Sequence, residues 1–130
     1  MTDNEISFDN LLVRHLILFD YDLGDFYIKE SVHYLYTIEN SIHYKCLVSG
    51  DYSNYNNLIT TTNQSEHSLN KFLKLKEKFN IDFLTDNKII VVWHESYDKY
   101  TVIDGTHRLA IMKYNNTTKL NPNWFHIIQQ

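Results

Sequence analysis

The chain is poor in the residues that usually break or staple a fold. Of its 130 residues one is cysteine, one is proline and three are glycine. A lone cysteine, Cys46, excludes an internal disulfide and any zinc site built on cysteine pairs, and it suits a reducing compartment. So little Gly and Pro leaves no low-complexity linker, and no segment repeats another. No apolar run approaches the roughly 20 residues needed to span a bilayer. The opening stretch MTDNEISFDN is acidic and polar, the opposite of a basic signal-peptide start, so a cytoplasmic protein without membrane contact is expected. A basic face is also missing: the formal net charge is -4 and the lysines are scattered, which argues against sequence-independent binding of DNA or RNA. There is no HExxH pair, no Walker A lysine and no G-x-S-x-G elbow.

What is present reads as one domain over 1–130. At 43% hydrophobic and 22% charged the composition is that of an ordinary globular protein, long enough to bury a core. LLVRHLILFD (11–20) is apolar and β-rich and predicts a strand. DLGDFYI predicts a turn and a short extended piece, and SVHYLYTI (31–38) a further strand. SIHYKCLV (41–48) carries a similar pattern, so Glu39-Asn40 is expected to turn one strand into the next. The polar stretch 49–64 reads as a long loop, a length that often signals function. SEHSLNKFLKLKEKFN (65–80) is the clearest helix, capped by Ser65 or Ser68, with Leu69, Phe72, Leu73 and Phe79 on one side. KIIVVW (88–93) and YTVID (100–104) form a hairpin, a helix runs from about Gly105 to Tyr114, and NWFHII (123–128) ends the series as a strand. The order predicts a small α+β domain with a mixed sheet.

The stretch YTVIDGTHRLAIMKY (100–114) carries the strongest chemical signal. The chain has only two arginines, and one stands beside a histidine at a helix start. A strand ending at Asp104 and turning through Gly105 exposes the first N–H groups of the helix, which with the positive end of its dipole favour an anion. Thr106 adds a hydroxyl, His107 a donor or acid–base group near neutral pH, and Arg108 a planar fork matched to phosphate oxygens. Asp104 can hold Mg²⁺ through one oxygen or accept a proton from a substrate hydroxyl. A plainer reading stands beside this one. Asp104 or Thr106 can be a simple N-cap, Arg108 an ion-pair partner, and His107 a satisfied, partly buried group.

VIDGTHRLAI resembles the helix-start motif of the ParB/sulfiredoxin superfamily, whose members bind nucleotide phosphates at this turn. The helix, strand, turn, strand and motif helix over about 65–115 resemble that fold as well. Sulfiredoxin has a catalytic cysteine where this chain has Thr106, so its thiolate chemistry is not expected. Chromosome-partitioning ParB proteins have an arginine-rich motif followed by a helix-turn-helix region. Here the motif holds one arginine and little chain follows, so DNA segregation is not expected either. The Asp-Gly-X-His-Arg form looks most like the free serine kinases of the superfamily. That resemblance implies phosphoryl transfer from ATP or another nucleotide, ADP or CTP included, to a small hydroxyl compound with Mg²⁺. It also implies that Asp104 is the acid near acceptor or metal and that Gly105, Thr106, His107 and Arg108 hold the phosphates.

Those kinases also use an upstream glutamate. Glu30 with His33, in KESVHYLY, is one candidate; Glu66 with His67, in SEHS, is the other. Glu30 ranks first, although a solvated strand-edge charge explains it equally, and Glu66 is an ordinary first-turn dipole partner. His15, His43, His94 and His126 read as structural or surface residues. The ten tyrosines read as packing groups, with Tyr52 and Tyr55 alternatively covering a base or sugar. Two other functions compete with the kinase: a nucleotide-binding switch without chemistry that docks on a partner protein, and a ParB-like nuclease, which the acidic balance disfavours. Homodimerisation is left open.

Overall fold

The structure, a computed structural model, describes residues 6–22, 24, 27–61 and 68–128, and of these the side chains of 16–22, 27–33 and 61 lie outside the description. Among the described residues nine strands and α-helices follow one another: β1 (Leu11–Asp22), β2 (Tyr27–Thr37), α1 (Ile42–Ser49), α2 (Ser53–Thr61), α3 (Leu69–Lys78), β3 (Ile89–His94), β4 (Lys99–Asp104), α4 (Thr106–Tyr114) and β5 (Phe125–Ile128). Short 3₁₀ turns join several of them.

The strands form one five-stranded mixed sheet in the order β2-β1-β4-β3-β5. β1–β2 and β3–β4 are antiparallel; β1–β4 and β3–β5 are parallel. This is the α+β domain expected. The predicted strands at 11–20, 31–38, 88–93, 100–104 and 123–128 are all present, with ends moved by a few residues, and 31–38 falls largely within the longer β2. β1 pairs with β4 only at Leu11 and Leu12, whereas its ladder with β2 runs from Leu12–Thr37 to Asp22–Tyr27.

Strand alternation decides which face is covered. Leu11 and Val13 of β1, Val91 of β3, and Tyr100 and Val102 of β4 pack with Leu109 and Met112 of α4 in the main core. Cys46 and Leu47 of α1, Tyr55 of α2 and Phe72 of α3 gather on Ala110 and Ile111 of the same helix in a second cluster. α4 is therefore buried on both sides, sheet below and helices above, which is why its LAIM run has no polar position. The opposite sheet face holds a shallow cavity of about 300 Å³ lined by Arg14, Leu35, Val92, His94, Tyr97, Thr101 and Ile103.

Two expectations are corrected. Residues 41–48 are not a strand in a hairpin through Glu39-Asn40. A 3₁₀ turn, Ile38–Asn40, leads into helix α1. Capping overrides the β-branched and aromatic residues of the segment. Ser41 accepts a hydrogen bond from the Tyr44 N–H at 3.1 Å, His15 Nε2 accepts from the Ile42 N–H at 3.2 Å, and Gly50 closes the helix in the left-handed region at φ 77°. Nor is 49–64 a loop throughout, because residues 53–61 are helix α2. Asp51 starts it, accepting from the Ser53 N–H at 3.0 Å and the Ser53 hydroxyl at 2.7 Å, and Tyr55, Leu58 and Ile59 set its inward side at helical spacing.

Candidate functional site

β4 delivers Asp104 to the end of the sheet, and Gly105 turns the chain into α4. Gly105 has φ 121°, a conformation side chains rarely adopt, and a Cβ there would lie 2.9 Å from both γ-carbons of Ile89. Glycine is thus needed twice, for conformation and for space. Gly105 is itself the N-cap and offers no side-chain acceptor to the first turn, so neither Asp104 nor Thr106 caps this helix. The Leu109 N–H reaches the Gly105 carbonyl at 2.9 Å, and the N–H groups before it form the start of the dipole.

This start opens on a cleft of about 190 Å³ lined by Tyr55, Ser68, Lys71, Phe72, Leu75, Asp104, Gly105, His107 and Arg108. Two helix beginnings meet there. Ser68 and Lys71 belong to the first turn of α3, where the Ser68 hydroxyl accepts from the Lys71 N–H at 3.1 Å. Gly105, His107 and Arg108 belong to the first turn of α4. The positive ends of both dipoles and the Lys71, Arg108 and imidazole groups thus share one concavity. Asp104 is the one carboxylate among the described residues that line it.

The arginine and histidine are held in different ways. Arg108 Nη2 lies 3.5 Å from Asp104 Oδ2, and Nη1 donates to the Asn87 carbonyl. The Arg108 side chain is only 16% exposed whereas that of Asp104 is 67% exposed, so the pair spans the cleft rim from inside to outside. His107 Nε2 lies 2.8 Å from the Tyr55 hydroxyl. Its ring meets those of His43, Phe72 and Tyr55 edge to face at centroid distances of 4.5, 4.9 and 5.7 Å. The plainer expectations for both residues therefore hold: Arg108 has an ion-pair partner and His107 a hydrogen-bond partner. Both side chains line the cleft as well.

Burial pushes the Tyr55 phenol far above the ordinary tyrosine range, with the nearby Cys46 adding to the shift, so the hydroxyl stays protonated and able to donate. Burial likewise raises the Cys46 thiol to about 11, which removes its reactivity at neutral pH. His15 stacks on His43 at 5.4 Å and is lowered to about 4 by burial, consistent with a neutral ring whose Nε2 serves the start of α1. The reading of His15 and His43 as structural fits their places in the interior. His126 is exposed, and His94 lies on the opposite sheet face beside Tyr97.

Of the residues singled out in the sequence, Asp104, Gly105, His107 and Arg108 come together on the cleft. Thr106 opens α4 and is not among the described lining residues. Glu30 and His33 stand on β2 opposite Phe19 and Leu16, and their side chains lie outside the description. Glu66 and His67 lie outside the described residues altogether. Sequence reasoning left out Lys71 and gave Tyr55 no certain part in the site. Both signals were available: Lys71 three residues after the Ser68 cap, and Tyr55 at helical spacing with Leu58 and Ile59.

No family model, no curated protein and no solved structure matches this chain.

Proposed function

We propose that the cleft binds the phosphate end of a nucleotide and that the protein transfers a phosphoryl group to the hydroxyl of a small molecule. One observation carries the reading: the first turns of α3 and α4 converge on a single concavity together with Lys71, His107 and Arg108. Helix-start N–H groups, the positive ends of two dipoles and cationic side chains are groups that favour phosphate oxygens. At about 190 Å³ the cleft is smaller than the ~300–1,000 Å³ typical of sites that enclose a whole drug-sized ligand. It suits the phosphates, with base and sugar lying beyond its rim.

Asp104 suits the chemical step by its position at the rim. In the transfer the acceptor oxygen bonds to the terminal phosphorus as the bridging P–O bond breaks. The hydroxyl proton passes to the Asp104 carboxylate and the shortened nucleotide leaves. Gly105 and the N–H groups of Thr106, His107 and Arg108 hold the phosphates while Arg108 and Lys71 offset their charge. Among the described residues no three His, Cys, Asp or Glu side chains gather as a metal site. A nucleotide-borne Mg²⁺ would find one protein carboxylate at the cleft among the described residues, that of Asp104. Such an ion would supply charge neutralisation at the transferred group. The resemblance to free serine kinases implies a second, upstream carboxylate, for which Glu30 is the first candidate and Glu66 the other.

The test is a thermal-shift screen of ATP, ADP, CTP and inorganic pyrophosphate, each with and without Mg²⁺. A ligand at 100 times its Kd stabilises the fold by about 2.7 kcal/mol, a shift of several degrees for a domain of this size. Silence across the whole panel would sink the reading. Binding without multiple turnover on any hydroxyl acceptor would leave the nucleotide-dependent switch in its place.

A further inference from the structure

One residue of the cleft comes from a helix the motif does not include. Tyr55 lies in α2, some fifty positions before His107, and is 1% exposed. Its ring sits 4.9 Å from Phe72 of α3 and 5.5 Å from His43 of α1, so both helices bear on its plane. Its hydroxyl ends 2.8 Å from His107 Nε2. His43, Phe72 and Tyr55 close round the imidazole edge to face, which restricts rotation of the ring about its own bonds.

A buried phenol that keeps its proton can donate as well as accept, and a neutral imidazole accepting at Nε2 carries its own proton on Nδ1. We propose that Tyr55 is a positioning residue of the phosphate cleft: its hydroxyl donates to Nε2 and holds His107 as the Nδ1-protonated tautomer, in the one ring orientation that lines the cleft. This deepens the nucleotide reading and rests on it for its purpose, but the tautomer itself does not depend on which ligand binds. It also gives α2 a task. The helix carries a side chain that sets the electronic state of a group on α4.

The experiment is nitrogen NMR of the histidine rings in the intact protein at pH 8, where imidazoles are neutral, with His107 assigned by its loss in His107→Gln. The wild-type spectrum should show His107 protonated at Nδ1 alone. In Tyr55→Phe, which keeps the ring packing and removes only the hydroxyl, the two tautomers should mix. ADP affinity, measured in parallel, should fall roughly fivefold in Tyr55→Phe, the size expected when one hydrogen bond is lost. Protonation at Nε2 in the wild type, or a Tyr55→Phe spectrum identical to the wild type, overturns the proposal. If wild-type protein binds no nucleotide, the phosphate reading falls, while the wild-type spectrum still decides whether Tyr55 sets the tautomer.

Discussion

Arg108 Nη2 stands 3.5 Å from Asp104 Oδ2, so the cation best shaped for a phosphate is paired with the one carboxylate that lines the cleft among the described residues. Any anion entering the cleft competes with Asp104 for that guanidinium. The two residues should therefore respond to substitution in opposite directions when the ligand is a bare anion. Arg108→Ala should weaken pyrophosphate binding by about 10- to 100-fold, the range for loss of a charged hydrogen bond. Asp104→Asn should tighten it by a factor of about five, because a like charge worth roughly 1 kcal/mol is gone. With Mg²⁺ and a nucleotide, Asp104→Asn should bind yet fail to turn over. Isothermal calorimetry with both probes separates these outcomes. Equal weakening by the two variants would show that the pair acts as a structural unit only.

Gly105→Ala meets two obstacles, a φ of 121° and a contact at 2.9 Å with Ile89. We expect a loss of about 2–4 kcal/mol in urea unfolding, at the upper end for single substitutions. Ile89→Val keeps both γ-carbons and should relieve none of it, whereas Ile89→Ala removes them and should make the double variant less destabilised than the sum of the two, with the backbone strain remaining.

His15 makes stability depend on pH. Its folded pKa is lowered to about 4 from an ordinary 6.5, so the unfolded chain binds a proton that the folded chain refuses. The contribution is present in full above pH 6.5 and is lost as pH falls from there toward 4, to a maximum of about 3 kcal/mol. Urea unfolding at pH 7.5, 5.5 and 4.5 should show this loss in the wild type and a shallower slope in His15→Gln. Parallel slopes would mean that other groups carry the effect.

Ser41 holds the turn into α1 through two bonds, donating to the Ile38 carbonyl at 2.7 Å and accepting from the Tyr44 N–H at 3.1 Å. Ser41→Ala should cost about 1–2 kcal/mol, because the site is fully buried and no water replaces the cap. A cost near zero would mean that His15 alone suffices to start the helix.

Much of this was written in local sequence. The β3–β4 hairpin and α4 were legible because short apolar runs, Asp-Gly punctuation and a buried LAIM run all agree. α3 was legible from its Ser68 cap and the spacing of Leu69, Phe72 and Phe79. α1 and α2 were not, because Ile42, Tyr44 and Val48 favour strands and 49–64 is rich in Asn. What decides both helices is partly non-local. His15, from a strand 27 residues earlier, accepts the first N–H of α1, and α4 supplies the surface on which both helices bury their inner sides. The cleft follows the same division. Its floor, 104–108, is a continuous motif, while its wall comes from Tyr55, Lys71 and Phe72, which only the fold brings near.

The fit of Gly105 against Ile89 ties the cleft to the sheet in a way that bears on inheritance. A random library screened for ligand binding should return glycine at 105 whatever else changes. Position 89 should vary only among side chains that leave that turn its space. The floor of the cleft would then be anchored from the neighbouring strand, and divergence would be free to remodel α2 and α3, the walls, while the floor stayed as it is.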